Sequence, residues 1–228
     1  MGSGEAERMA AYGSMVAGVA HEVRQPVFAL QAASYVLQER LKENTGVHKQ
    51  LRTLERETRR MAALMDDLLE FAKPPALVRT ATNPRAILQE AVEIFSATGD
   101  PDGPEVIIDA SDSLPVVQMD HARMLQVFSN LMNNARKHAG KVTQLRLSAK
   151  ADANQLQFLV HDNGEGIPDE HRDQIFEPFY SGGKGTGLGL PIVQRIVTDH
   201  GGIISVDSGP ERGTTFIISM PLQGAGHV

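Results

Sequence analysis

The chain has 228 residues, enough for two modest hydrophobic cores or one large one, and two domains are the better expectation. Its net charge of -6 at pH 7 lacks the excess of Lys and Arg on which binding to a phosphate backbone depends, so nucleic acid is not an expected partner. The absence of cysteine excludes disulfides, zinc–thiolate sites and thiol nucleophiles.

The ends of the chain bear on its location. No apolar run reaches about 18 residues, the length that suggests a membrane-spanning helix, so we expect a cytoplasmic chain. Met1 to Gly4 has the composition of a vector-derived leader. We therefore expect that an upstream sensor segment is missing. Whether the full-length protein has a membrane anchor stays an open question.

The first third of the sequence is typical of a helical hairpin. Apolar residues repeat every seven positions from Glu5 to Leu41, and a second periodic run follows the turn-forming residues Glu43 to Gly46. The first run has the rows Met9, Val16, Val23, Leu30, Leu37 and Tyr12, Val19, Pro26, Ala33; the second has Leu51, Leu54, Met61, Met65, Leu68. Two helices alone cannot bury so wide a stripe, so we expect a homodimer through the hairpin, as a four-helix bundle.

Beyond Lys73-Pro74-Pro75 the pattern becomes mixed α/β, which predicts a hairpin domain over residues 1–75 and a second domain over 76–228. Asn83-Pro84 and Asp120 are typical helix starts. Helices are predicted over residues 83–97, 120–138 and 188–200, and strands over 106–109, 116–119, 144–149, 155–160, 203–207 and 214–220.

His21 is the first candidate for chemistry. The heptad places it opposite the apolar seam, and a solvent-facing imidazole is nucleophilic near neutral pH. Glu22 is placed to take its proton, and Gln25 lies one turn further on the same face. The position alone is equally compatible with a solvated histidine of no function.

A second group of residues suits a nucleotide. Asn130 and Asn134 stack on one face of a predicted helix with Lys137 in the next turn, and amide oxygens with a lysine suit a magnesium-bound triphosphate. Asp162 ends an apolar strand and is followed by glycines that let the backbone approach a ligand. The glycines from Gly185 to Gly189 open a helix whose N–H groups can face phosphate. Their spacing matches neither a Rossmann fingerprint nor a P-loop.

Five segments resemble known motifs, in the known order. His21-Glu22-Val23-Arg24-Gln25-Pro26 resembles the H box of sensor histidine kinases. Asn130 to His138 resembles the N box of the GHKL ATPases, and Asp162 to Pro168 resembles their first glycine box. Gly185 to Leu190 resembles the second glycine box, and Gly213 to Phe216 the last box.

The resemblance implies roles for the residues of the first helix. His21 would be the phosphoacceptor and Glu22 the acid or base beside it. In the family, the position of Gln25 helps to place the water that dephosphorylates the response regulator. Many relatives carry Asn or Thr there, so Gln25 is a departure from the family's pattern at the position on which phosphatase activity would depend.

The resemblance also implies an ATP site with Mg²⁺. Asn134, helped by Asn130, would hold the metal, and Asp162 would accept a hydrogen bond from the adenine amino group. The other expected ATP-binding residues are Lys137, His138, Gly164, Gly166, Ile167, Phe179, Gly185, Thr186, Gly187, Leu188, Gly189, Leu190, Thr214 and, ranked after Thr214, Thr215. The short segment between Phe179 and Gly185 would be a lid over ATP.

The fold implied is α+β: a helical hairpin that forms a dimeric four-helix bundle, then an α/β sandwich of the GHKL (Bergerat) type. The function implied is ATP-dependent autophosphorylation of His21 and transfer to an aspartate of a response-regulator receiver domain, with phosphatase activity toward that regulator. A nucleotide-gated interaction module without phosphoryl transfer is the main alternative. An ATP-driven molecular clamp is disfavoured, because such clamps need a further transducer domain.

Overall fold

The computed structural model describes residues 23, 27–37, 41, 45–72, 76–97, 103–138, 142–181, 186–210 and 212–222. The chain divides into two compact units, Met1–Pro75 and Ala76–Val228. Among the described residues, no helix has an apolar stretch of the length and purity needed to cross a bilayer.

The described residues of the first unit form two helices. Helix α1 covers residues 27–37 of the described part, and α2 covers Thr45–Ala72. The His48 Nε2 atom lies 3.0 Å from the carbonyl oxygen of Leu41, which ties the start of α2 to the end of the preceding segment. Helix α2 begins at Thr45, inside the segment from Glu43 to Gly46 that was predicted as a turn.

The buried row of α1 differs from the predicted seam. Val27 and Ser34 are almost completely buried, whereas Leu30 and Leu37 remain more than 40% exposed, at 45% and 42%. At 100° per residue the buried pair lies about 60° around the helix from the exposed pair. The single chain thus covers only one flank of the apolar stripe.

Helix α2 shows the same division. Leu51 and Thr58, seven residues apart, are buried, while Leu54 and Met61, also seven apart, are exposed. Each helix therefore keeps an uncovered apolar row. The homodimer stays a prediction, and these rows are the surface available for it.

The second unit is a mixed α/β domain. Its elements are, in chain order, β1 Thr80–Thr82, α3 Pro84–Ser96, β2 Glu105–Ala110, β3 Val117–Met119, α4 His121–His138, β4 Gln144–Ala151, β5 Gln155–Asp162, α5 Asp169–Arg172, α6 Gly189–Asp199, β6 Ile203–Gly209 and β7 Gly213–Pro221. Five strands form one sheet in the order β2-β4-β5-β7-β6. Strands β2 and β4 are parallel, and the other neighbours are antiparallel.

Three helices form the second layer. Helix α4 packs on both α3 and α6, and all three contact the sheet. Alternate residues of β5 and β7 are buried, which identifies the face that the helices cover. In this core the rings of Phe128 and Phe158 meet edge to face, with centroids 5.1 Å apart. The predicted α+β fold with a three-helix, mixed-sheet sandwich is confirmed.

Two helix starts follow the predicted capping chemistry. The Asn83 Oδ1 atom accepts hydrogen bonds from the N–H groups of Arg85 and Ala86, at 2.9 and 3.1 Å. The Asp120 Oδ1 atom accepts from Arg123 N–H at 3.1 Å. Burial raises the pKa of Asp120, but hydrogen bonds from Val78 and Arg123 N–H, with the nearby charges of His200 and Arg123, hold it below its ordinary value.

Two small elements were not predicted. Strand β1 pairs with β3 in a separate antiparallel sheet, and the short helix α5 follows the first glycine-rich loop. Both are only three or four residues long, so neither has a periodicity that a sequence pattern can reveal.

Candidate nucleotide-binding site

Asp162 lies at the end of β5, on the face of the sheet that the helices cover. Its side chain is buried, and its Oδ1 atom accepts a hydrogen bond from Gly164 N–H at 2.9 Å. Burial raises the pKa of the carboxyl above 3.8, and the N–H groups of Gly164 and Thr214 with the charge of His161 offset this only in part. The backbone thus fixes the orientation of a buried carboxylate at this end of the domain.

The two neighbouring threonines of β7 face opposite sides of the sheet. Thr214 stands opposite Asp162 in the strand register and is buried like it. Thr215 is only half-buried, and its Oγ1 lies 2.9 Å from Nδ1 of His161 on the other face. Because side chains alternate along a strand, Thr214 shares the face of Asp162 and Thr215 does not.

The loop after Asp162 is held by side chains on both sides. The Asn163 Oδ1 atom accepts from the N–H groups of Thr143 and Gln144, both at 3.0 Å, which ties the loop to the start of β4. Further along, Ile167 N–H donates to Ser208 Oγ at 2.7 Å. Gly164 between them is buried, and Gly166 has a positive φ of 79°. The predicted glycine residues therefore form a loop anchored on β4 and β6.

The asparagines of α4 have different contacts. Asn130 Nδ2 lies 3.5 Å from the carbonyl oxygen of Gly189, at the start of α6, and Asn134 is one turn later on the same face. Asn133 instead accepts from Arg136 Nη2 at 2.7 Å. Asn130 therefore faces the start of α6, with Asn134 next to it on the same face of α4, while Asn133 is used within its own helix.

The start of α6 suits an anion. Leu188 is buried and its N–H donates to Thr186 Oγ1 at 3.2 Å, and α6 then begins at Gly189, with Leu190 half-buried behind it. The first N–H groups of a helix have no partners within the helix, and the helix dipole favours negative charge there. This helix start, beside Asn130, is a suitable place for phosphate.

Two residues that flank the predicted lid segment, Phe179 and Gly187, contact each other. Phe179 N–H donates to the Gly187 carbonyl oxygen at 2.9 Å, and the two residues have positive φ values of 68° and 69°. A Cβ atom at position 187 would lie 2.4 Å from the Phe179 carbonyl carbon, so only glycine fits. Next to Phe179, the Tyr180 hydroxyl lies 2.6 Å from His171 Nδ1. The base of the lid is thus held by a backbone contact between Phe179 and Gly187 and by a side-chain hydrogen bond between Tyr180 and His171.

The roles of all the predicted site residues stay predictions, and several of these residues lie outside the described part of the chain. His21, Glu22, Gln25 and Gly185 lie outside the described residues. His138 is the last residue of α4, and its side chain also lies outside the described part, while Lys137 is exposed on the same turn. Ser208, which contacts the loop at Ile167, was not predicted, because the alternation of β6 indicates only that it is buried.

The side chains present fit a magnesium ion carried by a triphosphate. Mg²⁺ keeps most of its oxygen ligands from water and substrate phosphates and takes one or two from the protein. Asn130 turns its amide nitrogen toward Gly189, which leaves its oxygen as a metal ligand near the start of α6. Asn134 has a second amide oxygen one turn further along α4. Among the described residues, no group of three or more His, Asp or Glu side chains is placed to hold a metal.

Two family models match the chain in succession. Residues 11–76 match the model described as His Kinase A (phospho-acceptor) domain. Residues 119–224 match the model described as Histidine kinase-, DNA gyrase B-, and HSP90-like ATPase. The second match contains every element from α4 to β7.

Similar proteins and structures extend over most of the chain. It is 31% identical over 217 residues to the sensor histidine kinase ZraS of Escherichia coli K12, covering 95% of this chain and 47% of the relative. It is 32% identical to the alginate biosynthesis sensor protein KinB of Pseudomonas aeruginosa, covering 89% and 36%. The chain thus spans about half or less of these relatives.

Among solved structures, full-length ShkA in complex with AMPPNP has a TM-score of 0.77 at 26% identity, covering 94% of this chain and 47% of that one. The histidine kinase ThkA in complex with the response regulator TrrA has a TM-score of 0.69 at 26% identity, covering 95% and 64%. Both likenesses include the hairpin and the ATPase unit.

Proposed function

The chain belongs to the sensor histidine kinases, as a phosphoacceptor hairpin followed by a histidine kinase-type ATPase domain, and on this premise we propose that it phosphorylates its own His21 with ATP. The phosphoryl group then passes to an aspartate of a response-regulator receiver domain. The observation that carries the proposal is that one compact unit holds both the buried carboxylate of Asp162 and the glycine-lined start of α6, in a chain whose first segment matches a phosphoacceptor domain.

The ATP site has a base end and a phosphate end. Asp162 and Thr214 would receive the adenine, with Asp162 accepting a hydrogen bond from its amino group, since guanine presents an oxygen there. The start of α6 and Lys137 would receive the phosphates. Bound Mg²⁺, held by Asn134 and Asn130, would neutralise phosphate charge.

The transfer needs little covalent chemistry from the protein. A ring nitrogen of His21 attacks the γ-phosphorus, the bond from that phosphorus to the bridging oxygen breaks, and ADP leaves with the electron pair. Glu22 takes the proton that the ring releases. Alignment of His21 with the γ-phosphate would supply most of the rate, since phosphoryl transfer is accelerated chiefly by positioning and charge stabilisation.

The hairpin would serve as the assembly surface. The exposed rows that include Leu30, Leu37, Leu54 and Met61 are apolar and would be covered by the hairpin of a second chain. A response regulator would dock beside His21, as a histidine kinase of similar structure is found in complex with one. Gln25 would support phosphatase activity toward that regulator. We expect both reactions to take place in the cytoplasm, where ATP and the regulator are available.

Labelling with γ-³²P-ATP tests the proposal directly. The wild-type chain should acquire a label that survives alkali and is lost in acid, as phosphohistidine is. His21→Gln should abolish the label and keep ATP affinity, whereas His48→Gln, in the same hairpin, should label like the wild type. A label that persists in His21→Gln would place the acceptor elsewhere.

The same experiment separates the alternative of a nucleotide-gated interaction module. Tight ATP binding with no label on any residue would support that module and contradict the kinase.

The dimer is tested by sedimentation: Leu54→Glu in the exposed row of α2 should shift the chain toward monomer, whereas Arg56→Glu, at an exposed charged position, should not. Equal sedimentation of wild type and Leu54→Glu would contradict assembly through this row.

A further inference from the structure

Ser208 joins three parts of the domain through one hydroxyl group. It lies on β6, is 2% exposed, and its Oγ atom is within hydrogen-bond distance of three groups. These are Ile167 N–H at 2.7 Å, the Gly213 carbonyl oxygen at 3.1 Å and Thr214 Oγ1 at 3.0 Å. The hydroxyl thus connects the glycine loop after β5 to the first residues of β7.

These three contacts determine where the protons lie. An amide N–H can only donate and a carbonyl oxygen can only accept, while a hydroxyl donates once and accepts up to twice. All three contacts are hydrogen bonds in only one arrangement: Ser208 donates to Gly213 O and accepts from both Ile167 N–H and the Thr214 hydroxyl. In the reverse arrangement the oxygens of Ser208 and Gly213 would face each other without a proton. The Thr214 proton is therefore directed at Ser208.

The consequence lies on the other side of Thr214. With its proton engaged, the Thr214 oxygen offers only lone pairs to any further neighbour. Thr214 stands directly opposite Asp162 on the paired strands, on the same buried face, where opposed side chains lie about 5 Å apart. Asp162 in its ionised form is also an acceptor only. This end of the site accepts hydrogen bonds and donates none from these two side chains.

We propose that Ser208 is a specificity-determining positioning residue, which orients the Thr214 hydroxyl so that the site selects a purine with an amino donor over one with a carbonyl acceptor at the same ring position. Adenine has the amino donor, whereas hypoxanthine and guanine have the carbonyl. The proposal rests on the proposed function, since it assumes that the base of ATP binds beside Asp162. Without Ser208, the Thr214 hydroxyl can rotate and donate to the carbonyl.

The test compares the dissociation constants of Mg-ATP and Mg-ITP for the intact 228-residue chain. Ser208→Ala should lower the preference for ATP over ITP by about fivefold to tenfold, the range expected for one exchanged hydrogen bond. Ser208→Cys, whose sulfur accepts hydrogen bonds weakly, should lower it in the same direction and replaces the alanine variant if that one does not fold. An unchanged preference in the folded variant would overturn the proposal.

A double-mutant cycle separates this role from a structural one. Thr214→Val removes the hydroxyl whose direction is at issue, so Ser208→Ala should change the preference no further in that background. An equal change with and without the Thr214 hydroxyl would overturn the proposal. Failure of the wild-type chain to bind either nucleotide would instead contradict the proposed function itself. A preference for ATP that is the same in the wild type and in every variant would contradict only the role of Ser208.

Discussion

Gly213→Ala is expected to destabilise the ATPase unit far more than an alanine in the same backbone conformation elsewhere. Gly213 has a φ of 71°, and a Cβ atom there would lie 1.9 Å from the carbonyl oxygen of Asp162. Gly201, after α6, has a φ of 79°, but its nearest neighbour would be 3.9 Å away. The two positions therefore share the conformational penalty and differ in the space available.

The magnitude follows from these distances. Alanine in the left-handed region costs about 1 kcal/mol relative to glycine, which is the whole effect expected for Gly201→Ala. At Gly213 the contact must lengthen by about 1 Å before it is tolerable, because real Cβ contacts under 3.0 Å are essentially never seen. Separating β5 from β7 by that much would break one or two hydrogen bonds at about 1 kcal/mol each. We therefore expect a loss of about 3 kcal/mol for Gly213→Ala.

Urea unfolding followed by far-UV circular dichroism measures both variants, since the chain has no Trp for fluorescence. Both positions lie in the second unit, so the same transition is compared. Unfolding free energies that agree within about 0.5 kcal/mol would refute the reasoning from the close contact with Asp162.

Three further predictions concern the site. Because burial raises the pKa of Asp162 above 3.8, the native state binds its proton more tightly than the unfolded chain, and the contribution of Asp162 to stability falls as pH rises from 3.8 through its native pKa. The unfolding free energy of Asp162→Asn should therefore rise relative to wild type across that window, and a constant difference would contradict this. Asn134→Ala should weaken Mg-ATP binding more than about tenfold in calorimetry, whereas Asn133→Ala should change it less than about threefold. Tyr180→Phe removes the bond to His171 and should raise the KM for ATP about threefold, and His171→Gln should add nothing further in that variant.

Local chemistry was predictable because it depends on neighbours in sequence. The caps at Asn83 and Asp120 form as expected, since a capping side chain reaches only two or three residues along the chain. The alternation of β7 likewise places Thr214 on the covered face of the sheet. The motifs around Asp162 and Asn130 are also local, and the roles assigned to these residues stay predictions.

Features that depend on tertiary packing were not predictable. Strand β2 pairs in parallel with β4 although β3 and α4 lie between them in sequence, and no periodicity encodes that choice. The burial of Val27 and Ser34 rather than Leu30 reflects which flank of α1 a single chain covers. The position of Ser208 depends on three segments that meet only in the folded domain.

The backbone hydrogen bond between Phe179 and Gly187 bears on how the length of the lid segment can vary, in engineered variants or in evolution. Since the backbone is already clamped at the base of the lid, the number of residues within it can change without moving either end. The free-energy cost of closing a loop grows slowly, by about 0.6 kcal/mol for each doubling of loop length. A longer insertion there should alter the covering of the nucleotide while Asp162 and the start of α6 keep their places.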